Sequence, residues 1–178
     1  MKEWNILATA QWRQERNLLR LLSKFGEFKG SGYRDVVLGK VADVHDFLEA
    51  LQKINREDPG KLWSLGQIVP IERNFEFDVA DFEDKAKEAV APYIDQLEGR
   101  NFFVRMVRRG HKGEISSQDE EKLLDGFILE SLQKEGKEAT VNIEEFEKMI
   151  VLETVGDQAG VGLITREMEE KYPLIKLK

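Results

Sequence analysis

The strongest constraint on the fold is the alternation of short apolar runs and amphipathic stretches over the first 77 residues. Residues 4–10 form a short apolar run that predicts a strand, and residues 14–25 carry leucines at helical spacing. Residues 27–41 predict a hairpin. A second helix is expected after Asp43, a residue type suited to capping a helix, and residues 66–77 predict another strand. The predicted order is therefore βαββαβ.

This order is that of a ferredoxin-like domain, a frame that supports many unrelated functions. A second group of elements begins near residue 79. It comprises a helix that Pro92 should kink or split, a strand, a helix opened by a capping box at Ser117, and three further strands. These elements are predicted over residues 81–97, 102–107, 117–135, 139–143, 149–154 and 161–165. We thus predict an α+β protein in which a ferredoxin-like domain (1–78) packs against an α/β domain (79–178).

A cationic run lies between the predicted strand 102–107 and the following helix. Residues 100–113 contain five Lys or Arg, one His and no acid, although the whole chain has a net charge of −7. Guanidinium groups present a planar fork to phosphate oxygens, and Lys acts as a compact charge. The predicted anion-binding residues are Arg105, Arg108, Arg109, His111 and Lys112. The alternative is a solvated turn in which Arg105 pairs with a glutamate and His111 satisfies the backbone.

A second cationic region lies near the N-terminus. Residues 1–40 have a net charge of +4, so the rest of the chain carries −11. The helical spacing of several cations predicts one basic face, continued by the adjoining hairpin, although such a face is often only solvated. These residues are Arg13, Arg16, Arg20, Lys24, Lys29 and Arg34. Trp4, Trp12 and Trp63 are expected to serve in packing, and Trp12, beside Arg13, is the one for which stacking on a base is the alternative.

Several classes of site are excluded by composition. The chain has no cysteine and only two distant histidines, His45 and His111, which excludes disulfides, thiolate nucleophiles and multi-histidine metal sites. Gly30–Gly32 and Gly160–Gly162 each lack the third glycine of a dinucleotide fingerprint. Paired glutamates such as Glu144–Glu145 are typical of solvated charge. We therefore expect no cofactor, no metal, no catalytic residue and no enzymatic activity, and the absence of a signal peptide or long apolar run predicts a cytoplasmic protein.

The second group of elements resembles the THUMP domain, an RNA-binding module of tRNA-modification proteins. The tail Glu170–Leu174 is similar to that of stand-alone THUMP proteins, which act as adaptors for the acetyltransferase that makes N4-acetylcytidine. The matching segments are Phe102–Arg105, Arg108–His111, the Ser-capped helix 117–135, Val141–Ile143, Met149–Glu153 and Gly160–Leu163.

The resemblance implies a tRNA-binding function. It implies that the two domains together grip the acceptor stem and 3′ end of tRNA and present it to a separate modification enzyme, such as the cytidine acetyltransferase. Recognition would use phosphate and shape, as expected for double-stranded RNA. The competing hypothesis is a ferredoxin-like regulatory or protein-interaction module that does not bind RNA, with the basic run facing an acidic partner.

Overall fold

The protein is a mixed α/β molecule with two sheets, containing about 39% helix and 29% strand. The computed structural model describes residues 1–176. The chain divides into two compact units, one of residues 1–71 with the segment from Met168 onward, and one of residues 72–167. The division after Ile71 precedes the predicted boundary after residue 78, because residues 73–76 join the second sheet.

The first unit contains a four-stranded antiparallel sheet in the order β2-β3-β1-β4. Leu18 and Leu22 of the first helix and Leu51 of the second are fully buried. The carboxylate of Asp43 accepts a hydrogen bond from the Asp46 N–H (2.8 Å), as the predicted helix cap requires. The elements are β1 (Ile6–Ala10), α1 (Glu15–Leu22), β2 (Gly26–Gly30), β3 (Val36–Val41), α2 (Val44–Glu57) and β4 (Leu65–Pro70).

The second unit contains a five-stranded mixed sheet in the order β5-β9-β8-β6-β7. Strand β6 runs parallel to both of its neighbours, and the other pairs are antiparallel. A 3₁₀ segment, Ala91–Leu97, follows α3, so the interruption expected at Pro92 is present. The elements are β5 (Arg73–Glu76), α3 (Phe82–Val90), β6 (Asn101–Val107), α4 (Ser117–Lys134), β7 (Thr140–Val141), β8 (Lys148–Val155), β9 (Gln158–Thr165) and α5 (Arg166–Lys171), which contains the division between the units.

The single strand predicted over residues 66–77 is wrong, because this stretch forms two strands in different sheets. The Ile71 N–H donates to the Asn5 carbonyl, whereas the next N–H, that of Glu72, donates to the Val161 carbonyl. The backbone therefore changes its partner strand at this peptide. The apolar run ends at Ile71 and three polar residues, Glu72 to Asn74, follow before Phe75 and Phe77, so the polar interruption marks the change that the single predicted strand passed over.

The N-cap of helix α4 lies one residue earlier than predicted. Ser116, in an extended conformation, accepts a hydrogen bond from the Asp119 N–H (3.3 Å) and is the N-cap in place of Ser117. The shift moves Glu120 out of the predicted capping box. Its side chain is instead buried, with 7% exposure.

Two carboxylates of α4 complete the hydrogen bonding of β6. The short strand β7 pairs only with Asn101 and Phe102 of β6. Beyond it, the Val104 N–H donates to Asp125 (3.0 Å) and the Met106 N–H donates to Glu121 (2.9 Å). Burial raises the pKa of Asp125 to about 6, although the bond from the Val104 amide opposes the rise. Helix α4 is thereby fixed along the strand that leads into the cationic loop.

A membrane-spanning helix is absent from residues 1–176, where none of the helices combines sufficient length with sufficient apolar character.

Candidate nucleic-acid interface

The cationic loop, residues 108–113, connects β6 to α4 and lies against the turn between β8 and β9. The Arg109 N–H donates to the Thr154 hydroxyl (3.0 Å), and the Gly156 N–H donates to the Arg109 carbonyl (2.9 Å). Gly110 and Gly113 adopt positive φ values of 96° and 81°, which glycine tolerates without a steric penalty. The loop is therefore anchored through its backbone.

Arg105 and Arg109 are both paired with glutamates. The Arg105 guanidinium lies 3.4 Å from the Glu121 carboxylate, so the alternative of a paired Arg105 is the one observed. Arg109 forms an ion pair with Glu153, whose side chain is only 1% exposed. Burial raises the pKa of the Glu153 carboxyl, and the Arg109 charge opposes that rise. Both guanidinium charges are thus largely balanced within the unit.

His111 contacts two carboxylates and one aromatic ring. Its Nε2 lies 2.8 Å from the Asp157 carboxylate, and its ring packs on Phe77 with a centroid separation of 5.4 Å. A second carboxylate, that of Glu114, lies 3.8 Å from Nδ1. The imidazole therefore connects the loop to the β8–β9 turn, with 18% of its side chain exposed.

Arg108 and Lys112 are the cations of this loop that keep an unbalanced charge. The Arg108 guanidinium donates to the Gly110 carbonyl within the loop. Lys112 is exposed. Within residues 1–176, neither side chain has a carboxylate at ion-pair distance. The loop thus offers two free positive charges to an anion.

The basic face predicted for the first helix is shorter than expected. Arg16 and Arg20 lie one turn apart on α1 and are exposed, but Arg13 precedes the helix and Lys24 follows it. Arg13 has a φ of 59°, incompatible with helix continuation, and Lys24 lies 5.4 Å from the Phe25 ring centroid. A face shared by four helical cations is therefore wrong, although all four side chains remain exposed.

The hairpin cations differ in their pairing. Lys29 forms an exposed ion pair with Glu27 (3.1 Å). Arg34 is exposed in the turn between β2 and β3. The neighbouring Asp35 accepts a hydrogen bond from the Arg13 N–H (2.9 Å), which ties this turn to the segment before α1. In the described part of the first unit, Arg13, Arg16, Arg20 and Arg34 have guanidinium groups without a carboxylate partner.

The tryptophans depart from the sequence-based expectation. Trp4 is buried as predicted, but Trp12 and Trp63 are 70% and 57% exposed. Trp63 follows a 3₁₀ turn, Pro59–Leu62, in which the buried Leu62 points the segment's apolar side inward. The sequence Asp58-Pro59-Gly60 predicts a turn, and turns lie at the surface. The position of Trp63 shortly after this turn was therefore the one sequence signal that its side chain could be exposed.

A pair of carboxylates lies beside the end of the cationic loop. Glu120 of α4 and Glu83 of α3 border a cleft of about 450 Å³ that also contacts Gly113 and Ser116. Burial, together with the nearby Glu83, raises the pKa of Glu120 to about 7. The folded protein therefore retains a proton on Glu120 at pH values where the unfolded chain has lost it.

This proton predicts a pH-dependent stability. Because the pKa of Glu120 is raised from 4.5, the free energy of unfolding should fall as the pH rises from about 4.5 to 7. Glu120→Gln should remove the part of this dependence that Glu120 contributes, leave the part due to Asp125 and Glu153, and stabilise the protein above pH 7 by about 1–2 kcal/mol, after allowance for solvent screening. Urea denaturation from pH 4 to 8 measures the effect. Glu130→Gln, an exposed substitution on the same helix, is the control, and identical pH profiles for Glu120→Gln and the parent would contradict the prediction.

The fold is one found in tRNA-modifying proteins. No family model matches the chain. Among curated proteins, it is similar to tRNA sulfurtransferases of Escherichia coli and Shigella boydii, with 33% identity over 88 residues. The match covers 46% of this chain and 18% of each relative, so the chain corresponds to a small part of their length.

Solved structures share the fold at low sequence identity. TrmN from Thermus thermophilus superposes with a TM-score of 0.62 at 15% identity, covering 90% of this chain and 45% of TrmN. A 4-thiouridine synthetase in complex with RNA and bound ATP gives a TM-score of 0.54 at 12% identity, covering 91% and 41% of the two chains. The chain spans less than half of either neighbour.

The prediction of a non-enzymatic protein is contradicted by these comparisons. The curated relatives are sulfurtransferases, and one of the structural neighbours is a synthetase. The prediction depended on missing catalytic motifs, which cannot identify a chain that resembles one part of a larger enzyme.

Proposed function

We propose that this chain binds tRNA as part of a tRNA-modification enzyme. The observation that carries the proposal is the 33% identity with tRNA sulfurtransferases over 88 residues. The exposed arginines of the first unit, in a chain of net charge −7, support it because they concentrate free positive charge on an otherwise acidic protein.

We further infer that the first unit is a ferredoxin-like domain and the second a THUMP-like domain. The sheet order β2-β3-β1-β4 with antiparallel pairing supports the first assignment. The β6-loop-α4 arrangement with its anchored cationic loop supports the second. The two domains grip the acceptor stem and 3′ end of tRNA.

The candidate RNA-binding residues fall into two groups. Those with free charge contact phosphates, and those already paired shape the loop and the hairpin. The first group consists of Arg13, Arg16, Arg20, Lys24, Arg34, Arg108 and Lys112. The second group consists of Lys29, Arg105, Arg109 and His111.

The reaction served by this binding has two candidates. The curated relatives favour transfer of sulfur to tRNA. The tail Glu170–Leu174, similar to that of THUMP adaptors, favours acetylation of cytidine. Loss of 4-thiouridine or of N4-acetylcytidine from the tRNA of a strain lacking the gene separates the two, and mass spectrometry of nucleosides measures both.

Filter binding with three RNAs tests the RNA-binding proposal. The RNAs are intact tRNA, tRNA without its single-stranded 3′ end, and a plain duplex. We expect preference for intact tRNA and a steep loss of affinity with salt, since phosphate contacts by all seven residues with free charge would give a log–log slope of about −6, and contacts by four of them about −3.6. Binding of none of the three RNAs would contradict the proposal and favour a regulatory or protein-interaction module. Equal binding of all three would contradict recognition of the 3′ end.

A further inference from the structure

Two exposed tryptophans lie at the same end of the first sheet. Trp12 follows the end of β1, and Trp63 precedes the start of β4. The two segments continue the β1–β4 pairing past its last register pair, because the Gln11 N–H donates to the Ser64 carbonyl (2.8 Å). Each tryptophan is the next residue outward from this hydrogen-bonded pair.

Burial and hydrogen bonding fix both segments. Leu62, which is 5% exposed, anchors the turn before Trp63. In the segment after Trp12, the backbone N–H of Arg13 donates a hydrogen bond to the Asp35 carboxylate. The indole rings therefore project from a defined backbone, and ordering them on binding costs little backbone entropy.

Arginines lie beside Trp12. The Arg13 guanidinium lies 4.5 Å from the centroid of the Trp12 ring, a cation–π contact. Arg34 lies beside Asp35, and Arg16 is in the first turn of α1. Acids are present as well: the Asp35 carboxylate accepts a hydrogen bond from the Arg13 amide, Asp58 pairs with Lys61, and Glu15 is in the first turn of α1. Exposed aromatic faces bordered by free guanidinium groups match the bases and phosphates of a single strand of nucleic acid.

We propose that Trp12 and Trp63 form a stacking site for unpaired nucleotides of RNA, with Arg13, Arg16 and Arg34 binding the adjoining phosphates. Bases within a duplex cover their own faces by stacking, so only unpaired nucleotides can offer a face to an indole ring. The inference rests on the proposed RNA binding and adds which structural state of RNA the first unit recognises.

Synthetic RNAs test the site directly. A duplex with a six-nucleotide single-stranded tail, placed at either the 3′ or the 5′ end, is compared with the same duplex with blunt ends. Trp12→Ala and Trp63→Ala should each weaken binding of a tailed duplex by roughly 5- to 150-fold, the range for loss of one stacked base. Trp12→Phe, which keeps an aromatic face, should restore most of the affinity. Circular dichroism spectra confirm that the variants fold.

The outcomes distinguish this inference from the function on which it rests. Equal affinity of the parent and both alanine variants for tailed duplexes would overturn the stacking site while leaving RNA binding intact. A similar loss on blunt and tailed duplexes would also overturn it, because paired bases cannot stack there. Failure of the parent to bind any RNA would instead contradict the proposed function.

Discussion

Arg109→Ala should lower the free energy of unfolding by about 3–5 kcal/mol, the usual effect of removing one partner of a buried ion pair. Glu153 is 1% exposed, and without Arg109 it would lose the cation that stabilises its charged form, so the folded state must either bury an unpaired charge or take up a proton. Chemical denaturation at pH 7 measures the loss. The effect should shrink as the pH falls, because the pKa of Glu153 is already raised by burial from 4.5 and rises further without Arg109.

Neighbouring substitutions control for this effect. Arg108→Ala removes a guanidinium that, among residues 1–176, hydrogen-bonds to a carbonyl of its own loop and to no carboxylate, and it should change stability little. Adding Glu153→Gln to Arg109→Ala removes the unpaired charge and should recover a large part of the loss. Equal stability of the Arg109→Ala protein and the parent would show that the pair is solvated and would return Arg109 to the candidates for direct RNA contact.

Arg16→Glu combined with Arg20→Glu should weaken tRNA binding on the order of 10- to 100-fold near physiological salt, because two phosphate contacts become repulsive. The magnitude of the salt slope should also decrease by about 2. Both side chains are exposed, so thermal stability should remain near that of the parent. Binding titrations across a salt series measure both quantities.

A matched charge reversal on another helix of the same unit separates the effect of the position of Arg16 and Arg20 from the effect of net charge. Lys53→Glu with Arg56→Glu reverses two exposed cations of α2 and gives the same net charge. Equal weakening by both double variants would indicate only a response to overall charge. Unchanged affinity of the Arg16/Arg20 variant would remove α1 from the interface.

Most of the order of helices and strands could be predicted from the sequence, but the separate strand β5, helix α5 and the pairing of the cations could not. Periodicity reports which residues face a core, and it located α1, α2, β6 and α4. The carboxylates that balance Arg105, Arg109 and His111 lie 16, 44 and 46 residues away along the chain. A count of charges along residues 100–113 therefore shows a basic run without acids. In the folded protein, acids from α4, β8 and the β8–β9 turn lie next to that run.

The errors at element ends have a similar origin. The predicted basic face of α1 loses Arg13 because this residue adopts a left-handed backbone conformation, and its N–H donates to Asp35 from the turn between β2 and β3. The stretch 66–77 divides because its two halves pair with strands from opposite ends of the chain. In both places a tertiary partner, absent from any local window, determines the conformation.

The carboxylates of α4 that accept the Val104 and Met106 amides also bear on self-association. An unpaired strand edge can recruit an identical edge from another molecule and start a β-sheet aggregate. Here two N–H groups of the β6 edge beyond β7, those of Val104 and Met106, already donate to Asp125 and Glu121, and a strand approaching this edge would meet two acidic side chains instead of free N–H groups. Replacing Asp125 by a residue without an acceptor would leave the Val104 N–H without its partner. We expect this change to favour precipitation from concentrated solution and to leave RNA binding unchanged.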